Sequence, residues 1–517
     1  MRKLSRALFS RYTLSAITIL LSVLLIFSLV YIASVYSVLI YAALVILDML
    51  VVLSIINREV NPEYKLPWLV ISLLIPLFGP LLYVIFYSRK LSRREARLLN
   101  RINVEAEIAS SAMNSQIESE YLNVLGTVHT PAIGKVRSIL AEDPCADLYM
   151  GTSSKYYPLG ELMYADMTVD MERAKRYIFL EFFIIHTGTM WDGIYEILKR
   201  KASEGIDVRL LYDDIGCMNT LPINFPRQLA KDGIKCERFA KVTPRVSAIH
   251  NNRDHRKILC IDGDVAYTGG INIADEYINK VKRFGHWKDG GVRIEGHAAL
   301  GFVKLFLSMW DLTKGEASDY SEYLSGIDES REGDGGYYVP FGSGPAPVYK
   351  YPVGKDVFIN LINQAQRYVY ITTPYLIIDY ALTDALKCAA RRGVDVRIIT
   401  PGIADKKQVK VMTKSSYPAL MEAGVRIYEY TPGFIHEKII VTDDLYAVVG
   451  TINLDYRSLV HHFEDGVWMY NTPTVTELKD SFLETVSVSD EVDSEEARLT
   501  LYERFVRNMI RLFAPLL

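Results

Sequence analysis

A duplicated α/β fold behind an α-helical membrane anchor is the architecture this sequence predicts. Three observations predict it. Strand-like and helix-like stretches alternate from about residue 146 onward, the same order of stretches occurs twice, and a nearly uncharged apolar run occupies the N-terminal region. Alternating strands and helices imply sheets covered by helices, with crossover-joined strands running parallel. Each half is therefore expected to be a mainly parallel sheet flanked by helices.

The N-terminal elements come first. Residues 13–56 carry no charge except Asp48. The run is too long for one crossing and suits two helices joined near Tyr36 and Ser37. It is also too long for a secretory signal and lacks a small-residue cleavage site. A third apolar stretch, residues 66–87, contains Pro67, Pro76, Gly79 and Pro80. Such breakers occur in membrane helices, and they equally suit a re-entrant or surface-lying segment. Arg2, Lys3, Arg6 and Arg11 precede the first run, and Arg89, Lys90, Arg93, Arg94 and Arg97 follow the third. The positive-inside rule places both clusters in the cytoplasm, which requires an even number of crossings. Residues 1–90 thus read as a membrane region with two or three hydrophobic segments: two crossings, and the Pro-broken stretch re-entrant or interfacial. Residues 91–145 read as a basic, helical connector whose charges also attract anionic headgroups.

The body follows as two halves. In residues 146–317, strands are expected at 176–184, 205–211 and 233–236, with helices at 191–202 and 225–231. In residues 348–517, strands are expected at 367–371, 393–397 and 424–427, with helices at 382–392 and 417–423. Matching positions are offset by 191, 188 and 191 residues, which a duplication with small insertions explains. Between the halves, the polar, Gly-rich passage 318–347 reads as a linker or a lid. Residues 494–513 read as a terminal helix capped by Ser494.

Each half carries one copy of a single pattern. His255-Arg-Lys-Ile-Leu-Cys-Ile-Asp262 returns as His436-Glu-Lys-Ile-Ile-Val-Thr-Asp443, an offset of 181. Gly269, Gly270 and Asn272 follow the first copy; Gly450 and Asn453 follow the second. Period 2 puts His and Lys on one strand face and Ile258, Cys260, Ile439 and Val441 on the other, toward a core. Asp262-Gly263 and Asp443-Asp444 signal hairpin turns. An imidazole beside a fixed ammonium suits phosphoryl chemistry, as a nucleophile or proton carrier next to a charge clamp.

The paired His-x-Lys-x-x-x-x-Asp pattern resembles the phospholipase D superfamily, and more closely its bacterial cardiolipin synthases. Gly269-Gly-Ile-Asn-Ile-Ala-Asp-Glu-Tyr277, Trp287-Lys-Asp289, Thr373-Pro-Tyr375, Gly450-Thr-Ile-Asn-Leu-Asp-Tyr-Arg-Ser458, Asn61-Pro62 and Lys65-Leu-Pro-Trp68 carry the resemblance. It implies two packed phospholipase D-like halves sharing one active site. It assigns the nucleophile to His255 and the acid/base to His436, with Lys257 and Lys438 on the non-bridging phosphate oxygens. Asn272 and Asn453 are candidate further donors to those oxygens. Asp262 and Asp443 complete the motif, as chemical participants or as turn-formers. A carboxylate that orients each imidazole is also wanted. Asp289 and Glu464 are the candidates. Where the resemblance leads one to expect Asn-x-Glu, this chain reads His462-Phe-Glu464.

The implied reaction condenses two phosphatidylglycerol molecules to cardiolipin and glycerol through a phosphohistidine. Hydrolysis as a phospholipase D, or transfer to another alcohol, uses the same residues. No metal is expected, because the lysines already supply the cationic charge. No cofactor is expected either, since no P-loop is present. The net charge of −3 does not favour nucleic acid. The expected partners are phosphatidylglycerol and other anionic membrane lipids. The odd count of five Cys argues against a disulfide framework and suits a cytosol-facing body on a bacterial plasma membrane. His186, His250, His286, His297 and His461 are expected to be structural or surface residues.

Overall fold

The computed structural model describes residues 37–58, 61–75, 78–87, 92–124, 130–141, 143–241, 252–325 and 331–493, with scattered residues at 22–35 and 500–508. The N-terminal basic cluster, Arg89, Lys90, His250, Ser494 and most of the expected terminal helix lie outside them. Two compact units emerge, residues 1–88 and 89–517.

In the first unit, Ser37–Ile56 is one apolar helix of 20 residues. Among the described residues it is the one helix long and apolar enough to cross a membrane. The third apolar stretch forms two shorter helices, Pro62–Leu74 and Phe78–Tyr87. Asn61 caps the first of them, its side chain accepting from Glu63 N at 3.0 Å, and Pro62 takes the first turn. The two helices pack through Trp68 against Tyr83, ring centroids 5.5 Å apart. Gly79 permits that approach: a Cβ there would fall 2.5 Å from Ser72 Cα.

The second unit holds both halves. The connector expected at 91–145 belongs to it. A capping box starts its long helix Arg93–Val124: Ser92 N donates to Glu95 at 2.8 Å, and Glu95 N donates back to Ser92 Oγ at 3.2 Å.

The first half contains β1 (Thr152–Tyr157), β2 (Tyr177–Phe182), β3 (Asp207–Asp213), β4 (Lys235–Phe239), β5 (Lys257–Ile261), β6 (Val265–Gly269), β7 (His286–Lys288) and β8 (Gly291–Gly296). Its main sheet runs β1-β8-β6-β5-β2-β3-β4. The second half contains β9 (Tyr337–Ser343), β10 (Tyr368–Thr372), β11 (Leu376–Ile377), β12 (Asp395–Pro401), β13 (Arg426–Tyr430), β14 (Gly433–Ile435), β15 (Ile439–Thr442), β16 (Tyr446–Gly450), β17 (Leu454–Asp455), β18 (Glu464–Tyr470) and β19 (Ser489–Glu491). Its main sheet runs β9-β18-β16-β15-β10-β12-β13-β19. Strand for strand the two orders agree, with β19 added at one edge.

Both sheets are mixed rather than mainly parallel. Strands β2, β3 and β4 run parallel, as do β10, β12 and β13, because helical crossovers join them. The motif strands β5 and β15 join antiparallel on both sides, because hairpins rather than helices connect them to β6 and β16. The passage expected as a linker or lid supplies β9, a fully buried strand paired with β18. Just before it, Arg331 bonds Asp264 and Glu295 of the first half.

One core cluster joins residues of both sheets, including Phe179, Ile258 and Cys260 with Val369, Ile371 and Val441. A second cluster packs Leu180, Leu259 and Ile261 with residues of the helices Gly160–Arg173 and Thr189–Ser203. Strand β5 is thus covered on both faces, not one. All five cysteines are free thiols.

Candidate active site

His255 and His436 stand immediately before their lysine-bearing strands, and each motif is held by the other half. A parallel bridge joins Asp254 to Phe463, and His255 N donates to Phe463 O at 2.8 Å. Equivalently, β14 pairs with β7, and His436 N donates to Lys288 O at 2.8 Å. These backbone bonds cross-pair the side chains. His255 Nδ1 lies 2.9 Å from Glu464 Oε2, and His436 Nδ1 lies 2.7 Å from Asp289 Oδ2. Both carboxylates are fully buried and both imidazoles nearly so. A carboxylate on Nδ1 sets the tautomer and leaves Nε2 for chemistry. Asp289 and Glu464, expected as orienting groups, each lie within hydrogen-bond distance of Nδ1 of the histidine of the opposite half.

Lys257 Nζ donates to His255 O at 2.7 Å, and Lys438 Nζ donates to His436 O. The two motifs form one electrostatic cluster, since each lysine feels both Asp289 and Glu464. Burial pulls Lys257 down to about 8 and Lys438 down to about 7. Burial also pulls the His255 imidazole down to about 3 against the charge of Glu464, and His436 down to about 4 with help from Lys438. Burial alone would raise Glu464, but the His255 imidazole outweighs it and holds the carboxyl low.

The second half also reaches the first motif strand through Asp465, which accepts from Lys257 N at 3.1 Å and from the Thr268 hydroxyl. Arg256 is buried and donates to Glu464 O at 3.2 Å and to Tyr349 Oη at 2.8 Å, fixing the backbone that carries Glu464. Gly270 allows the halves to close: a Cβ there would sit 1.9 Å from Asp289 Oδ1 and 2.7 Å from His436 O.

Asp262 and Asp443 are not part of this cluster. Each sits at the hairpin turn, about 20 Å along the strand from its histidine by strand rise. Both adopt positive φ, 55° and 57°. Asp262 accepts from the backbone of Lys175, Arg176 and Tyr177, and Asp443 from Gln366, Arg367 and Tyr368. They tie each hairpin to the start of the neighbouring strand, which is the turn-forming role. Asn272 accepts from Ile184 N at 3.0 Å and donates to Tyr277 Oη at 2.8 Å, so its amide is engaged in structure. Asn453 is buried with Oδ1 unpartnered. Of the other histidines, His186 bonds Thr187 O and His286 bonds Tyr430 Oη.

Sequence reasoning gave no role to three neighbours, and it met His462 only as a departure from Asn-x-Glu. Thr451 donates its hydroxyl to Glu464 Oε2. Phe183 packs edge-on against His255 at 5.0 Å. His462 is buried, its ring 5.5 Å from that of His255. The donor atoms of His255, His462 and Glu464 lie within 4.8 Å of one another, a metal-like set. His255 Nδ1 is already committed to Glu464, and Lys257 is a buried cation beside both, which opposes a metal.

A duplicated mixed α/β body with two His–Lys pairs gathered between its halves defines the phospholipase D-like class. The description "Cardiolipin synthase, PLD-like domain" matches residues 167–282 and 358–486, and "Phospholipase D-nuclease N-terminal" matches residues 46–86. A cardiolipin synthase of Halalkalibacterium halodurans is 33% identical over 469 residues, covering 90% of this chain and 91% of that one. Cardiolipin synthase 2 of Staphylococcus epidermidis is 31% identical over 471 residues, covering 90% and 95%. The solved phosphatidylserine synthase of Haemophilus influenzae shares the fold, with a TM-score of 0.54 at 15% identity, covering 70% of this chain and 93% of that one. The chain belongs to the PLD-like cardiolipin synthase family.

Proposed function

We infer that this chain is a phosphatidyltransferase that condenses two phosphatidylglycerol molecules into cardiolipin and glycerol. The observation that carries the reading is the cross-paired cluster: two neutral imidazoles, each held at Nδ1 by a carboxylate, beside two lysines. His255 Nε2 attacks phosphorus, and the bond to the headgroup glycerol breaks. His436 gives that glycerol oxygen its proton. The hydroxyl of a second phosphatidylglycerol then loses its proton to His436 and attacks phosphorus, displacing His255 and forming cardiolipin. A resting His255 kept unprotonated suits the nucleophile. An arriving phosphate anion beside His436 draws a proton onto that ring, as any nearby negative charge does. Lys257 and Lys438 neutralise the non-bridging oxygens as charge develops.

The apolar helix Ser37–Ile56 and the basic residues on either side of the N-terminal region support a plasma-membrane protein with two crossings and a cytoplasmic body. The test feeds purified protein in vesicles with phosphatidylglycerol alone, without nucleotide or added metal. Cardiolipin with an equal amount of glycerol is the expected result, lost in both His255→Ala and His436→Ala. Phosphatidic acid with glycerol and no cardiolipin would make water the acceptor. No product would overturn the choice of donor lipid.

A further inference from the structure

The two orienting carboxylates occupy equivalent places, and each is preceded two residues earlier by a ring bearing an N–H: Trp287 before Asp289, His462 before Glu464. Trp287 Nε1 donates to Asp289 Oδ2 at 3.4 Å. In the other half, His462 Nδ1 lies 3.6 Å from Glu464 Oε1. Both rings are 7% exposed. Neither nitrogen of His462 has a hydrogen-bond partner, and neither does Glu464 Oε1. Thr451 serves Oε2, not Oε1. Leaving a buried carboxylate oxygen and a buried imidazole both unpaired is unfavourable, because neither recovers the hydrogen bonds it gave up to water. A closure of roughly 0.7 Å would satisfy the two at once, given an ordinary N–H···O distance. The ring has a wall to move along, since His462 and His255 both pack against Phe183.

We propose that His462 is a positioning residue for the reaction: its Nδ1–H donates to Glu464 Oε1 and holds that carboxylate with Oε2 on His255 Nδ1. It acts on the nucleophile through Glu464, as Trp287 acts on His436 through Asp289. No bond to His462 forms or breaks. The proposal rests on the two-histidine reading above.

The experiment compares His462→Asn, His462→Leu and His462→Phe with the parent in phosphatidylglycerol vesicles. Cardiolipin and phosphatidic acid are summed, so that the choice of acceptor does not enter. Asn keeps an N–H near the Nδ1 position; Leu and Phe fill the space without a donor. The Leu and Phe variants are expected to lose kcat roughly 10- to 100-fold with KM within about 2-fold, the scale on which groups that orient a reactive side chain act. Asn is expected to recover most of kcat. A packing role predicts the reverse order, Leu and Phe above Asn, and that order overturns the proposal, as does parental kcat in a Leu or Phe variant that melts like the parent. Should Leu and Phe both melt early, Asn decides alone: a kcat more than about 10-fold below the parent overturns the proposal. If the parent itself makes neither lipid, the two-histidine reading fails, which is a separate result.

Discussion

Two neutral imidazoles beside two ammoniums of weakened basicity give the site a one-sided pH response. Lys438 and Lys257 lose their protons near about 7 and about 8. The clamp on phosphate therefore weakens as pH rises through that range, and kcat/KM is expected to fall from pH 7 to pH 9. Stability moves the other way. Burying a charged lysine is unfavourable, and in the unfolded chain each lysine keeps its proton to about 10.4. Between the folded values and that limit the unfolded state binds more protons, so this contribution to stability rises with pH. Kinetics and urea unfolding at pH 7 and pH 9 check both directions. The two His–Lys pairs of the candidate site were legible in the sequence because the motif repeats. The pairing of His255 with Glu464 and of His436 with Asp289 was not, because those contacts span 209 and 147 residues and follow from how the halves dock.

At the scale of elements, the motif hairpins are fastened at both ends. The histidine end is held by the other half and the turn end by Asp262 or Asp443. Asp262→Ala and Asp443→Ala each remove an acceptor for three backbone N–H groups and place Ala at positive φ. Each is expected to lose about 2 kcal/mol of stability by urea unfolding, at the low end for charged acceptors because all but the Tyr368 bond are exposed or half-buried. Asn at either position is expected to lose less, since it keeps an acceptor and tolerates that backbone. The crossover elements were readable: the helix Phe225–Lys231 has the bounds that its pattern gives. Strand β9 was not, because Pro340 and Gly342 argue against a strand. Both are tolerated because β9 ends its sheet: β18 pairs along one side, and on the other a single bridge joins Tyr338 to Tyr149.

At the scale of the molecule, neither half owns a complete reacting group. The first half carries His255 without its carboxylate, and the second carries His436 without its own. Expressed separately, the two halves are expected to show no turnover, and co-expression is expected to restore it; lipid turnover in membranes from each strain checks this. The same division bears on how the enzyme comes into being. His255 leaves the ribosome 209 residues ahead of Glu464. At common rates of synthesis that interval is on the order of 10–40 s. Throughout it the nascent chain carries His255 without the carboxylate that contacts its Nδ1. The growing chain is thus expected to show no turnover until Glu464, well into its last third, has been made.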